Sequence, residues 1–333
     1  MEYTQTFERT RLTTRLLAGR EFLVKTPLCA NYLKKMNNWL ITGSQGAIVY
    51  GRPRLGKTSA TRWVLKALPN LIGNFPVVEV PIRDQHIASE RAFFQHLLRC
   101  IKHRHSMDGT AGDKRDRFSE WLIARAMRSP INGAVLFFDE AQLLQDHQYA
   151  WLLNIGNELD KNGCRLFCLL VGQSELADKK IKLIDAGMEQ IVGRFMVREL
   201  EFSGLGSEID LVSTLTQYQQ TTYPIGSNIL FAENFIPLAI KGGFELSSIG
   251  PAVWGAFENL WVSAGLDKGM TIPMHYFTAA LIGSLNSLVK YDADNLVIPQ
   301  KIIVESVDAS GYKESLRILI ASMMRYKKSN GRT

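Results

Sequence analysis

Apolar positions follow two rhythms along the chain. Four short runs are apolar almost without interruption: Ala47-Ile48-Val49-Tyr50, Val77-Val78-Glu79-Val80, Ala134-Val135-Leu136-Phe137-Phe138 and Leu166-Phe167-Cys168-Leu169-Leu170-Val171. Such runs, rich in β-branched and aromatic residues and lacking strict alternation, predict strands covered on both faces. Between them apolar residues fall at helical spacing. Ala60, Trp63, Val64, Ala67 and Leu68 follow the first run at i, i+3, i+4, i+7 and i+8 and stop at Pro69. Ser89 with Phe93, Leu97 and Ile101 opens a second helix, and Phe118, Trp121, Leu122 and Arg125 mark a third that runs to Pro130. Trp151, Leu152, Ile155 and Leu159 line a fourth, which Asn162-Gly163 ends. Gly193-Arg194-Phe195-Met196-Val197-Arg198-Glu199-Leu200 leads into a last, alternating strand. Strand and helix in alternation predict an α/β fold with a parallel sheet flanked by helices over residues 46–203.

On either side the rhythm changes. Residues 1–45 mix polar and apolar positions irregularly around Pro27 and are expected to form a helical arm. Residues 204–309 turn helical, with segments at 209–218, 231–241, 251–264 and 274–288 separated by Gly, Pro and Ser, and are expected to form an all-helical lid. Residues 310–333 carry one amphipathic run and a polar end and are expected to be a basic tail.

The chain has 333 residues, 46% hydrophobic and 21% charged, the composition of an ordinary globular protein of about two domains. The start lacks the basic and apolar regions of a signal peptide, and there is no uncharged apolar run of 18 residues, so a cytoplasmic protein without membrane association is expected. Cys29, Cys100, Cys164 and Cys168 form no CxxC pair and read as reduced core thiols. The net charge of +7 is uneven. Residues 99–117 hold six Arg and Lys against three Asp, and residues 313–332 hold six against one Glu. A polyanion is therefore a candidate partner.

Chemistry enters at four places. After the first strand comes Gly51-Arg52-Pro53-Arg54-Leu55-Gly56-Lys57-Thr58-Ser59, which contains the G-x-x-x-x-G-K-T spacing of a P-loop and precedes a predicted helix. Successive N–H groups there can wrap a phosphate, Lys57 can reach the β- and γ-phosphates, and the Thr58 hydroxyl can bind Mg²⁺. The helix N-terminus adds its positive dipole end. The third strand ends in Asp139-Glu140, the Walker B pattern: Asp139 can hold the Mg²⁺ shell, and Glu140 can orient and deprotonate the attacking water. The fourth strand ends in Gly172-Gln173, where the Gln173 amide can touch the γ-phosphate or that water. Arg194 first, and Arg198 second, can serve as an arginine finger for a neighbouring subunit's nucleotide.

In this order, P-loop, Walker B, polar sensor, late arginine and helical lid resemble the AAA+ ATPases. Within them, Phe137-Phe138-Asp139-Glu140-Ala141-Gln142, Leu170-Val171-Gly172-Gln173-Ser174-Glu175-Leu176 and Gly193-Arg194-Phe195 resemble TnsC and TniB, the ATPase regulators of bacterial transposons, including CRISPR-associated ones. That resemblance implies ATP and Mg²⁺ as cofactors and ATP-driven assembly into hexamer-like rings or helical filaments on double-stranded DNA. It also implies a TniQ-like target selector and the TnsA and TnsB transposase as partners. Lys102, Arg104, Lys114, Arg115 and Arg117 are the candidate contacts to the DNA backbone, with Arg62 and Lys66 behind them. The similarity to ExeA and helicase loaders implies a second reading, an ATPase acting on protein partners without DNA scaffolding. One departure stands out: around residues 244–250 there is no lid arginine for the sensor 2 role, and Lys241 is the nearest base.

Overall fold

The computed structural model describes residues 23–84, 89–224 and 226–330, without side chains for 325–330. The expectations for residues 1–22 and for the polar end of the tail lie outside the described residues or side chains. The described residues divide into two compact units, one within 29–53 and 57–202 and the other within 23–28, 54–56 and 203–330.

The first unit is built on the apolar runs. β1 (Gly46–Tyr50), β2 (Val77–Pro81), β3 (Gly133–Asp139), β4 (Arg165–Gly172) and β5 (Arg198–Glu201) form one sheet in the order β2-β3-β4-β1-β5, with every pairing parallel. β1, β3 and β4 are buried along nearly their whole length, as continuous apolar strands inside a parallel sheet must be. β2, at the sheet edge, alternates buried and exposed positions.

Helices of the unit connect or flank the strands, among them α1 (Pro27–Ile41), α2 (Lys57–Ala67), α3 (Glu90–Cys100), α4 (Ala111–Ala126), α5 (Asp146–Lys161), α6 (Glu175–Asp185) and α7 (Glu189–Phe195). Local signals start two of them. The Ser89 hydroxyl accepts from the Ala92 N–H at 3.2 Å, and Thr110 with Asp113 forms a capping box at the start of α4. The core carries Phe94, Phe118, Phe138 and Tyr149 at full burial, and Trp151 of α5 meets Phe93 of α3 with ring centroids 5.3 Å apart.

α2 differs from its predicted face. Thr61 and Leu65 are buried, whereas Trp63 and Ala67 are half-buried. The cause is Tyr32 of α1, whose buried hydroxyl lies 3.1 Å from that of Thr61, so a polar side chain is satisfied inside. Burial pushes the Tyr32 phenol far above its ordinary range.

The second unit has its own core. α8 (Glu208–Gln220), α9 (Gly250–Ser263), α10 (Met274–Leu288), α11 (Gln300–Asp308) and α12 (Tyr312–Asn330) pack around Leu211, Phe231, Phe257, Phe277 and Leu285. The segment expected as a tail begins inside this core, where Tyr312 and Leu316 are buried. Among the described residues, no helix is long and apolar enough to cross a membrane.

Candidate functional site

Parallel register brings the ends of three strands level. Tyr50 pairs with Gly172 and Asp139 with Val171, so the segments after β1, β3 and β4 leave the sheet side by side at its C-terminal edge. In open α/β sheets this edge is where ligands bind.

The loop after β1 turns through Gly56 at φ +95°, a value open to glycine and costly for other residues, and delivers Lys57 as the first residue of α2. The Lys57 ammonium donates to the Gly51 carbonyl at 2.7 Å and the Arg52 carbonyl at 2.8 Å, folding over the loop it follows. Burial lowers its pKa, and the carboxylates of Glu140, Asp139 and Glu175 act in the opposite direction. One residue on, the Thr58 hydroxyl donates to both oxygens of Asp139, at 3.0 and 3.2 Å. These two residues lie 81 positions apart in the chain. Burial raises the Asp139 pKa; the Thr58 hydroxyl opposes that and the adjacent Glu140 adds to it. A hydroxyl and a carboxylate side by side are the hard oxygen donors that Mg²⁺ accepts.

Glu140 takes a left-handed backbone conformation, φ 58° and ψ 40°. Its Oε2 accepts from the Gln142 amide at 2.6 Å and from the Gln173 amide at 3.4 Å. Thus Lys57, Thr58, Asp139, Glu140 and Gln173, chosen from three separate motifs, form one cluster. The residue that sequence reasoning passed over is Gln142. It sits inside the quoted Asp-Glu-Ala-Gln run, and its spacing two residues beyond the glutamate was the available signal.

The remaining candidates scatter. In the stretch from Gly51 to Ser59, Gly51 and Leu55 are buried, Pro53, Arg54 and Ser59 are exposed, and Arg52 lies between. Arg54 belongs with the helical unit, where its Nη1 lies 2.7 Å from His275 Nε2. Burial and the Arg54 charge lower the His275 pKa. Arg194, in the last turn of α7, is held by α5: it donates to Asn157 Oδ1 at 2.7 Å and to Asp160 Oδ2 at 3.3 Å. Arg198 opens β5, is exposed, and donates from Nε to Ser44 Oγ at 3.3 Å.

The basic segment also separates. Lys102 and Arg104 are exposed in the turn after α3. Lys114 is fully buried and donates to the carbonyls of Ser106 and Asp108 at 2.9 and 3.0 Å. Its place among the expected DNA contacts is corrected on that ground: an ammonium on α4 enclosed by two carbonyls of the preceding loop fixes that loop instead of facing a phosphate. Arg117 donates to the carbonyls of His105 and Asp108, and Arg115 pairs with Glu90 and Asp116. Of the two weaker candidates, Arg62 is bound to Glu79 of β2 through Nε and Nη2, and Lys66 is exposed.

With this geometry in hand, comparison with known proteins gives a consistent picture. A family model described as AAA domain matches residues 41–179. No curated protein matches the chain. Among solved structures, the chain is similar to the ORC2 protein of Aeropyrum pernix in its ADPNP-ADP complexes, with a TM-score of 0.56 and 12% identity over 89% of this chain and 71% of that one. The ADP form of the same protein gives 0.53 and 13%, over 87% and 69%. At these identities the likeness is one of fold. The fold is that of an AAA+ P-loop NTPase: a parallel five-stranded sheet flanked by helices, with further helices C-terminal to it.

Proposed function

We propose that this chain is a Mg²⁺-dependent ATPase that assembles on double-stranded DNA and acts as a TnsC-like regulator of DNA transposition. The observation that carries the enzymatic part is the meeting of Lys57, Thr58, Asp139, Glu140 and Gln173 at the shared end of β1, β3 and β4. Mg²⁺ held by Thr58 and Asp139 would offset negative charge as it develops on the transferring phosphoryl group. The residues of the chain supply the rest. The loop 51–56 and the N-terminus of α2 cradle the phosphates, Lys57 leaves its two loop carbonyls for the β- and γ-oxygens, and Thr58 and Asp139 hold the metal. Glu140 accepts a proton from the attacking water, and Gln173 orients the γ-phosphate or that water.

The nucleic-acid part rests on Lys102 and Arg104, which are exposed on one turn, whereas Arg115 and Arg117 are engaged by Glu90, Asp116 and loop carbonyls. Contacts from such residues read phosphates, so binding is expected to be sequence-tolerant and salt-sensitive. For the finger, Arg198 is the more accessible candidate, because Arg194 already satisfies Asn157 and Asp160. The transposition role, with a TniQ-like selector and the TnsA and TnsB transposase, rests on the motif resemblance alone.

Electron microscopy of the full chain with duplex DNA tests the reading, comparing ATP with ADP. Rings or filaments on DNA with ATP, lost or remodelled with ADP, are expected. Particles that stay monomeric in every condition would overturn the assembly, and ATP hydrolysis insensitive to DNA would favour an enzyme acting on protein partners.

A further inference from the structure

Gln142 uses both ends of one side-chain amide on two different strand ends. Its Nε2 donates to Glu140 Oε2 at 2.6 Å, while its Oε1 accepts the backbone N–H of Gln173 at 3.1 Å. The first bond lies after β3, the second after β4. We propose that Gln142 is a positioning residue for ATP hydrolysis, locking the Glu140 carboxylate and the Gln173 backbone into one unit. The proposal rests on the reading of Glu140 as the group that receives the proton of the attacking water.

Three observations carry it. The first is the choice of side chain. A carboxamide presents a donor and an acceptor on one planar group, which neither a lysine nor a carboxylate does. Here each end meets the complementary atom: the donor meets a carboxylate and the acceptor meets an N–H.

The second is the backbone of Glu140. At φ 58° it occupies a region that non-glycine residues rarely visit, and the chain then passes through a single 3₁₀ turn, Ala141–Leu143. Backbone of this kind persists where its surroundings fix it, and such residues gather at functional sites. The turn folds Gln142 back toward the carboxylate two residues before it.

The third is Gly172, the last residue of β4. A Cβ built there would collide with Gln142 Oε1, while Gln142 N and Leu176 Cδ2 would both lie at a tight 3.3 Å. Glycine at this position therefore makes room for the amide. An alanine would displace the far end of the glutamine and would also require the Gln142 backbone nitrogen and Leu176 to give by a few tenths of an ångström.

The chemical reason for such a device is that a glutamate side chain has freedom the reaction cannot use. A base must lie within hydrogen-bond reach of the proton it takes, and a misplacement of about 1 Å can cost roughly 100-fold. The other amide on Glu140, that of Gln173, reaches it only at 3.4 Å. Gln142 supplies the shorter bond and ties it to the strand that carries Gln173.

The test is a double-mutant cycle on the full chain, with steady-state ATP hydrolysis in Mg²⁺, affinity for a fluorescent ATP analogue and thermal melting measured on each variant. Gln142→Ala should lower kcat by about 10- to 100-fold and leave KM and analogue affinity within about twofold. Gly172→Ala, which displaces the amide without removing it, should do the same, and the double variant should be no slower than the slower single one. In a Glu140→Gln background, Gln142→Ala should have no further effect. A merely structural role would move affinity and melting together with kcat. The proposal falls if Gln142→Ala keeps its kcat, if the two losses multiply, or if affinity drops in step with rate. Should Gln142→Ala prove too unstable, Gly172→Ala decides alone on the same criteria. If Glu140→Gln hydrolyses ATP at the unaltered rate, the reading of Glu140 as base falls and the positioning role goes with it. If Glu140→Gln is inactive and Gln142→Ala fully active, the base stands and only the positioning role is lost.

Discussion

The strand-end cluster and the basic segment 99–117 both draw on charged and polar side chains, yet folding gathers one set and disperses the other. In the cluster, residues from 51 to 173 meet because three parallel strands end at one level, so each motif leaves the sheet beside the next. In the basic segment, cations that are neighbours in sequence lie on a helix end, a loop and a helix face, and α4 sends them different ways. Lys114 goes into the loop, Arg115 to Glu90, Arg117 to two carbonyls, and among the described cations of the segment only Lys102 and Arg104 stay exposed without a side-chain hydrogen bond or ion pair. Backbone topology brings distant residues together reliably. Nearness along the chain gives charges no common surface.

The largest test of this contrast is chemical. Glu140→Gln is expected to slow ATP hydrolysis by about 10²- to 10⁴-fold, the usual weight of a general base, with ATP binding retained in a direct binding assay. If binding fell as far as the rate, the cluster would be a folding unit and not a reactive centre.

Next comes stability within the basic segment. Lys114→Ala strands two loop carbonyls and is expected to lower the melting temperature by roughly 3–8 °C, whereas Arg104→Ala should move it by less than about 1 °C. Equal shifts in calorimetry would erase the distinction between a buried and an exposed cation.

A smaller effect concerns DNA. Removing Lys102 and Arg104 together should weaken duplex binding several-fold at low salt and reduce the slope of log affinity against log salt by about 1 per lost contact. A slope that changes only with Lys114→Ala would reverse the assignment made from burial.

The smallest is at Arg62. Its bond to Glu79 is partly exposed, so Glu79→Gln should cost about 0.5–1 kcal/mol in denaturant unfolding and leave the salt slope of DNA binding unchanged. A steeper slope after that substitution would return Arg62 to the list of DNA contacts.

Much of this was legible in advance, and the failures have physical causes. Strand runs were readable because a parallel sheet covers both strand faces, which leaves an uninterrupted apolar signal. The P-loop, Asp139-Glu140 and Gln173 were readable because each motif sits where a strand ends. The face of α2 was misjudged because Thr61 is buried by a hydroxyl 29 positions away, and no local pattern scores a polar residue as satisfied. α6 and α7 went unannounced because their buried positions are few: Leu176 and Leu183 in the first, Ile191, Val192 and Phe195 in the second. Gln142 was quoted and passed over because its role depends on Gly172, a residue of a different strand.

The chain alone determined which segments become buried strands, where the glycine- and carboxylate-bearing loops interrupt them, and that cations concentrate in two stretches. Those features follow from local composition and from spacing within a few residues. Tertiary structure decided the level at which β1, β3 and β4 end, the direction in which each cation of α4 points, and the pairing of Gln142 with both Glu140 and Gln173. Register between strands, the face a helix buries and the space left by a glycine are relations between distant segments, and only packing fixes them.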